Sequence, residues 1–261
     1  MKKQSLTIAD IRSGYSEAKR LSDKSDIWLY FVIRPISFHP TWLFLRLGIS
    51  ANKVTLVGLV IGIVGGVFLA FGSYWAAILG ALLINVRFLF DVIDGNVARC
   101  TNSCTKYGHY LDAFSTYIMI VLMPITIGIG VYNHPDPYLN YLSNFLFGMN
   151  VNSNIYLMLG ISGALFSIFG ELVTSSLSAV FSMKPVKHRP KAGIRRNLWA
   201  VIYWLVCGLI GCMRPLLLVA AITKSLGIFL FLWVLLFTGD FIFLATRALI
   251  TAPKTSETLD G

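Results

Sequence analysis

The chain has 261 residues, 56% of them hydrophobic and 13% charged, with a formal net charge of +10. A soluble domain carries about a quarter charged residues, so this composition, with a mean hydropathy of +0.71, excludes a soluble globular enzyme and a disordered tail protein. In so apolar a chain the surplus Lys and Arg read as loops on one membrane face and lipid-headgroup contacts, and no nucleic-acid partner is expected.

The first 25 residues are polar and lack the apolar core of a cleavable signal peptide. Residues 26–47 are aromatic-rich and mildly basic (Trp28, Tyr30, Phe31, Arg34, Trp42, Phe44, Arg46). Pro35 and Pro40 break the stretch, which suits short segments in the headgroup region better than a span. Gly48 can end the second piece, and Ser50 or Asn52 can cap the first membrane helix.

About 20 apolar residues cross a bilayer as helix. Nothing charged occurs between Lys53 and Arg87, enough for one helix, a turn near Gly72-Ser73-Tyr74 and most of a second helix ending near Asp94. A third apolar run covers 113–135, and a fourth covers about 154–183, interrupted by Glu171. The C-terminal part holds 198–213 and 228–250, with Arg214-Pro215 and Lys224 between them. Either 198–213 spans and Arg214 faces outward, or that stretch is interfacial and 214–227 forms a short span. Both options give six crossings. The predicted fold class is all-α: interfacial segments over 1–49, a six-helix membrane bundle over 50–250, and a tail over 251–261.

Nine Lys and Arg precede residue 54, Arg99 and Lys106 lie between spans two and three, six lie in 184–196, and none lies in 132–153. The N-terminus, the 95–110 loop, the 184–196 loop and the C-terminus are therefore expected on the cytoplasmic side. The cluster Lys184, Lys187, His188, Arg189, Lys191, Arg195 and Arg196 reads as a loop touching anionic lipid, or one that steers an anionic substrate. Gly58, Gly62 and Gly66 place small residues on one face of span one, for packing within the chain or for a dimer seam.

Of the 12 Asp and Glu, Asp91, Asp94 and Asp112 fall close together in sequence. If helix persists to about residue 98, Asp91 and Asp94 lie one turn apart on a face shared with Arg87 and Ala98. Span three then runs back from Gly108-His109-Tyr110-Leu111-Asp112, so Asp112 can face that pair. Three converging carboxylates need neutralising, and hard oxygen ligands suit Mg²⁺ or Mn²⁺, which would hold a diphosphate. Gly95 and Gly108 allow close approach of backbone to a ligand, and Arg99 offers a fork for phosphate. The plainer alternative is a pair of helix-end salt bridges, Asp91 with Arg87 and Asp94 with Arg99. Intramembrane acids favour the functional reading.

The run Asp91-x-x-Asp94-Gly95-x-x-Ala98-Arg99, eight residues, then Gly108-x-x-x-Asp112 resembles the signature of the CDP-alcohol phosphotransferases. Asn52 and Thr55 resemble that family's Asn-x-x-Thr, although Ala51 stands where a Pro usually precedes the Asn. The resemblance implies transfer of a phospho-alcohol group from a CDP-linked lipid or alcohol donor to an acceptor alcohol, with release of CMP. It assigns Asp91, Asp94 and Asp112 to the metal, and Asn52, Thr55, Gly95, Ala98, Arg99 and Gly108 to the CDP site. It also implies a homodimer. The family's fourth Asp, its proposed base and a further metal ligand, is Thr116 in this chain. A threonine hydroxyl is not a base near neutral pH. His109, Glu171 or an already ionised acceptor are the substitutes, and a nucleotide or lipid binder without turnover is the rival reading.

A cation transporter would spread its polar groups along a pathway with helices broken at mid-membrane, and a membrane prenyltransferase would need a second Asp-rich loop. Cys100, Cys104 and His109 lack a fourth ligand for zinc. Cys207 and Cys212 read as ordinary helix residues, and Glu171 and Asp240 are expected to pack inward.

Overall fold

The computed structural model of the chain describes residues 7–24, 26–148, 150, 152–181 and 198–256, and the basic cluster at 184–196 lies outside them. Two short helices, α1 (Ile8–Ser13) and α2 (Glu17–Asp23), come first. Thr7 and Asp10 start α1 as a capping box, each side chain bonding the other's backbone N–H.

The stretch expected to be broken by prolines is instead helical. A π-helical turn (Leu29–Ile33) passes directly into α3 (Arg34–Arg46). The Arg34 N–H bonds back to the Leu29 carbonyl in the wide π register, and Pro35 follows in the first turn of α3. A first-turn N–H has no partner within its helix, so Pro35 loses no bond there. Pro40 lies within α3. Gly48, at φ +66, ends the helix as expected, with the Ile49 N–H bonding the Phe44 carbonyl and the Gly48 N–H bonding the Leu45 carbonyl.

Next come α4 (Ala51–Phe71), α5 (Tyr74–Cys100), α6 (Lys106–Asn133), α7 (Pro137–Phe147), α8 (Asn154–Phe181), α9 (Leu198–Ile222) and α10 (Leu226–Ser256). Among the described residues, five helices are long and apolar enough to cross a membrane: α4, α5, α6, and the Asn154–Ser176 and Leu226–Leu249 parts of α8 and α10. Val57, Val60, Val64 and Val67 stand exposed along one face of α4, the spacing and chemistry of a lipid-facing stripe.

The expected break at Arg214-Pro215 does not occur. α9 runs through both residues for 25 residues, roughly 37 Å at 1.5 Å per residue, and stops at Ile222. Arg214 does not face outward. It pairs with Asp26 at 2.7 Å and stacks over Phe88 at 4.4 Å, which spares a guanidinium from meeting lipid alone.

α4 and α5 form the most closely packed hairpin, and α6 packs on both α4 and α8. Glycines make this possible. A Cβ on Gly58 would strike Phe90, one on Gly62 would strike Met119 and Arg87, and one on Gly66 would press on Leu122, so the glycine face of α4 is used within the chain. At the far end from Asp91, Gly72 turns the α4–α5 hairpin at φ +70 against the Gly130 carbonyl. Gly72→Ala would place a Cβ on that carbonyl in a left-handed conformation, a cost on the order of 3 kcal/mol. The expected result is a thermal midpoint in detergent lowered by several degrees, measured by unfolding of the purified protein. An unchanged midpoint would show that this turn opens freely.

The segment between α6 and α8 carries α7. Asp136 caps it and also accepts the Gly227 N–H at the start of α10. Burial pushes its carboxyl up, while the backbone N–H groups of Gly227, Leu139 and Tyr138 hold it down. The core between these helices holds Leu69, Ile84, Ile127, Leu217 and Leu230, all fully buried. Trp233 of α10 donates to Ser167 of α8 at 3.1 Å.

Candidate active site

α5 stays helical to Cys100, so Asp91 and Asp94 do share a face. α6 starts at Lys106, with the Thr105 hydroxyl accepting the Gly108 N–H at 3.0 Å. This hairpin brings Asp112 to within hydrogen-bonding reach of Asp91, and Asp94 lies in the electrostatic field of both. Asp94 is buried and accepts the Thr55 hydroxyl of α4 at 2.7 Å. Three helices therefore meet at one acidic spot near the α5–α6 loop.

Of the two expected salt bridges, one forms. Arg87 pairs with Asp91 at 2.8 Å, whereas Arg99 bonds Asn96 at 2.8 Å and leaves Asp94 to Thr55. The reason is geometric. Arg99 folds back over Gly95, where a Cβ would come within 3.3 Å of its guanidinium, and that directs its fork to the Asn96 side chain.

Between α6 and α4, a Cβ on Gly108 would lie 3.1 Å from the Asn52 side-chain oxygen, so Gly108 and Asn52 touch only because glycine stands there. Gly95, Ala98 and Arg99 are each partly exposed on the same end of α5. Thr116 follows Ser115 one turn beyond Asp112 and is half-buried. His109, exposed and nearly one turn before Asp112, lies in its electrostatic field. Glu171 does not join this group: its charged neighbour is Asp240, across α8 and α10.

The donor set fits a hard divalent cation. Arg87 occupies one oxygen of Asp91 and Thr55 one oxygen of Asp94, and each carboxylate keeps a second oxygen. Asp91 and Asp112 stand close enough to repel unless a cation or proton lies between them. As the side chains stand, no group of three His, Cys, Asp or Glu among the described residues is gathered tightly enough to hold an ion. Cys100 and Cys104 are free thiols.

A second layer, not anticipated from sequence, supports the site. Asn96 is buried and its amide donates to Ser37 at 3.0 Å and Thr41 at 3.2 Å, both on α3. Its oxygen accepts from Arg99 and, at 3.1 Å, from Arg34. Arg34 in turn pairs with buried Asp23, which also accepts the Tyr15 hydroxyl at 2.7 Å. Burial, then the bond to Asp23, push the Tyr15 phenol up. A cavity of about 60 Å³ lies against Tyr15, Asn96 and Arg99. The larger cavity, about 220 Å³, lies at the other end of the bundle beside Gly72, Tyr74, Asp136 and Lys224, away from the acids. The one signal in the sequence was position: Asn96 falls inside the acidic signature.

The fold and site define a membrane helical bundle with an acidic, oxygen-lined centre near one helix hairpin. The chain belongs to the CDP-alcohol phosphatidyltransferase family, whose sequence model matches residues 48–223. Cholinephosphotransferase 1 of Mus musculus is 34% identical over 116 residues, covering 39% of this chain and 29% of that protein. The Homo sapiens protein of the same name is 31% identical over 127 residues, covering 43% and 31%. Inner membrane protein YnjF of Escherichia coli (strain K12) is 38% identical over 77 residues, covering 30% and 35%. The matches thus span about a third of the length of these relatives. Among solved structures, the phosphatidylinositol phosphate synthase of Mycobacterium tuberculosis, crystallised with manganese and citrate, is similar at a TM-score of 0.48 and 16% identity, over 82% of this chain and 90% of that one.

Proposed function

We propose that the chain transfers a phospho-alcohol group from a CDP-linked donor to an acceptor hydroxyl and releases CMP, in the synthesis of phospholipids or related lipids. The observation that carries this reading is the meeting of Asp91, Asp94 and Asp112 with Thr55 at one end of α4, α5 and α6 in a chain of this family. In the reaction the acceptor oxygen forms a bond to the phosphorus that bears the donor's alcohol group, and the bond from that phosphorus to the CMP oxygen breaks. The acceptor's proton leaves to a base.

Asp91, Asp94 and Asp112 would hold Mg²⁺ or Mn²⁺, which when bound offsets diphosphate charge and acts as a Lewis acid. Asn52, Thr55, Gly95, Ala98, Arg99 and Gly108 would line the CDP site, with glycines admitting backbone contact and Arg99 reaching a phosphate. The closeness of His109 to Asp112 supports His109 over Glu171 as the proton acceptor in place of the missing Asp. The excess of Lys and Arg before residue 54, with Arg99 and Lys106 flanking the α5–α6 loop, supports a cytoplasmic opening. Donor, acceptor and membrane lipid are the partners this reading requires.

Thr116 favours one rival, a CDP-lipid binder without turnover. Purified protein with Mn²⁺, a panel of CDP-linked donors and candidate alcohols is expected to release CMP, followed by mass spectrometry of the product lipid. No release with any pair would sink the transferase reading. Thr116→Asp is expected to raise kcat by about tenfold or more, because a positioned base contributes roughly 10²–10⁴ to such steps. If neither form turns over while both bind CDP-lipid, the binder is the correct reading.

A further inference from the structure

Arg87 stands in this site as an unusual neighbour. It lies well inside α5 at 3% exposure, and its methylenes pass the gap that Gly62 leaves in α4. One terminal nitrogen holds Asp91 at 2.8 Å and the other donates to the Ser115 hydroxyl of α6 at 2.7 Å. The buried Nε has no hydrogen-bond partner among the described residues. The guanidinium therefore bridges the two helices that carry the acids, one residue away from Thr116. It also acts electrostatically on Asp94 and Asp112.

A guanidinium stays protonated at any relevant pH. Three carboxylates and one fixed guanidinium leave a formal charge of −2, which one divalent cation cancels. We infer that Arg87 is a resident cation of the acidic centre, bridging Asp91 to Ser115, and that the centre consequently takes one divalent ion per chain. Thr116 fits the same arithmetic, since a fourth carboxylate beside Ser115 would bring back the charge that Arg87 removes. The inference rests on the reading of Asp91, Asp94 and Asp112 as metal ligands.

Titration of the purified full chain with Mn²⁺, followed by the electron paramagnetic resonance signal of free Mn²⁺, tests it without any substrate. The expected stoichiometry is one ion per chain, and two would overturn the inference. Arg87→Gln keeps most of the side chain's length and removes its charge. It is expected to bind the ion at least roughly tenfold more tightly, as loss of a like charge a few ångströms away predicts. Unchanged or weaker binding would show that Arg87 only holds the helices together, and would overturn the inference. If Arg87→Gln does not fold, the wild-type stoichiometry decides alone.

The two readings fail separately. Two ions that disappear when Asp91, Asp94 and Asp112 are all changed to Asn overturn the role of Arg87 and leave the metal site standing. One ion that persists in that triple variant overturns the site and the inference together. One ion lost in the triple variant, with no CMP release from the wild type, supports the role of Arg87 and overturns the transferase reading.

Discussion

Asp94→Asn is expected to lower CMP release by at least about a thousandfold, roughly 4 kcal/mol of barrier, with the protein still folded. The substitution keeps volume and leaves an oxygen to accept the Thr55 hydroxyl, so the α4–α5 contact survives. What is lost is one negative charge at the most buried of the three acids. A neutral amide is a poor ligand for a hard cation. Thr55→Val is the companion variant. It removes the hydroxyl that orients Asp94 and keeps the carboxylate, so a loss nearer tenfold is expected, with donor KM raised. Turnover is measured as CMP release per folded protein, with folding checked by the thermal midpoint. More than a tenth of wild-type turnover in Asp94→Asn would remove this residue from the reaction.

Much of the bundle was legible because a bilayer imposes length and composition on a helix. The Lys53 to Arg87 gap predicted the α4–α5 hairpin and its turn at Gly72, and the spacing of Asp91, Asp94 and Asp112 predicted their meeting. Helices too short to span obey weaker rules. Pro35 looked like a breaker, but the π turn before it places it where no N–H is needed. Arg214 looked like a boundary because charge inside a span is costly. Pairing with Asp26, 188 residues away in sequence, removes the cost, and no local pattern announces such a partner.

The same limit explains Arg99. Its carboxylate neighbour in sequence is Asp94, but the bond goes to Asn96 because Gly95 lets the side chain fold back. Asn96 in turn is placed by Ser37, Thr41 and Arg34, residues of α3 that the acidic signature does not include. Motif spacing therefore located the acids and missed the layer that orients the arginine beside them.

That layer carries the largest expected stability effect. Arg34 and Asp23 are 4% and 2% exposed, so their ion pair is withdrawn from water almost completely. Arg34→Met leaves Asp23 charged, buried and short of its partner, a loss of about 3–5 kcal/mol. The Tyr15 hydroxyl and Lys19, at 3.4 Å, remain near Asp23, which places the expectation toward the lower end. The thermal midpoint of the detergent-solubilised protein should fall accordingly, and a loss below about 1 kcal/mol would mean that water reaches the pair. Asp23→Leu with Arg34→Met replaces both charges by apolar groups and should recover most of the stability. It does not restore the Arg34 bond to Asn96, so the partner that fixes Arg99 from the α3 side stays absent. Donor KM in the double variant is therefore expected to remain raised several-fold with kcat little changed. Recovery of both stability and KM would show that the buried pair serves the fold alone, whereas recovery of stability without KM ties α3 to the placement of the Arg99 fork.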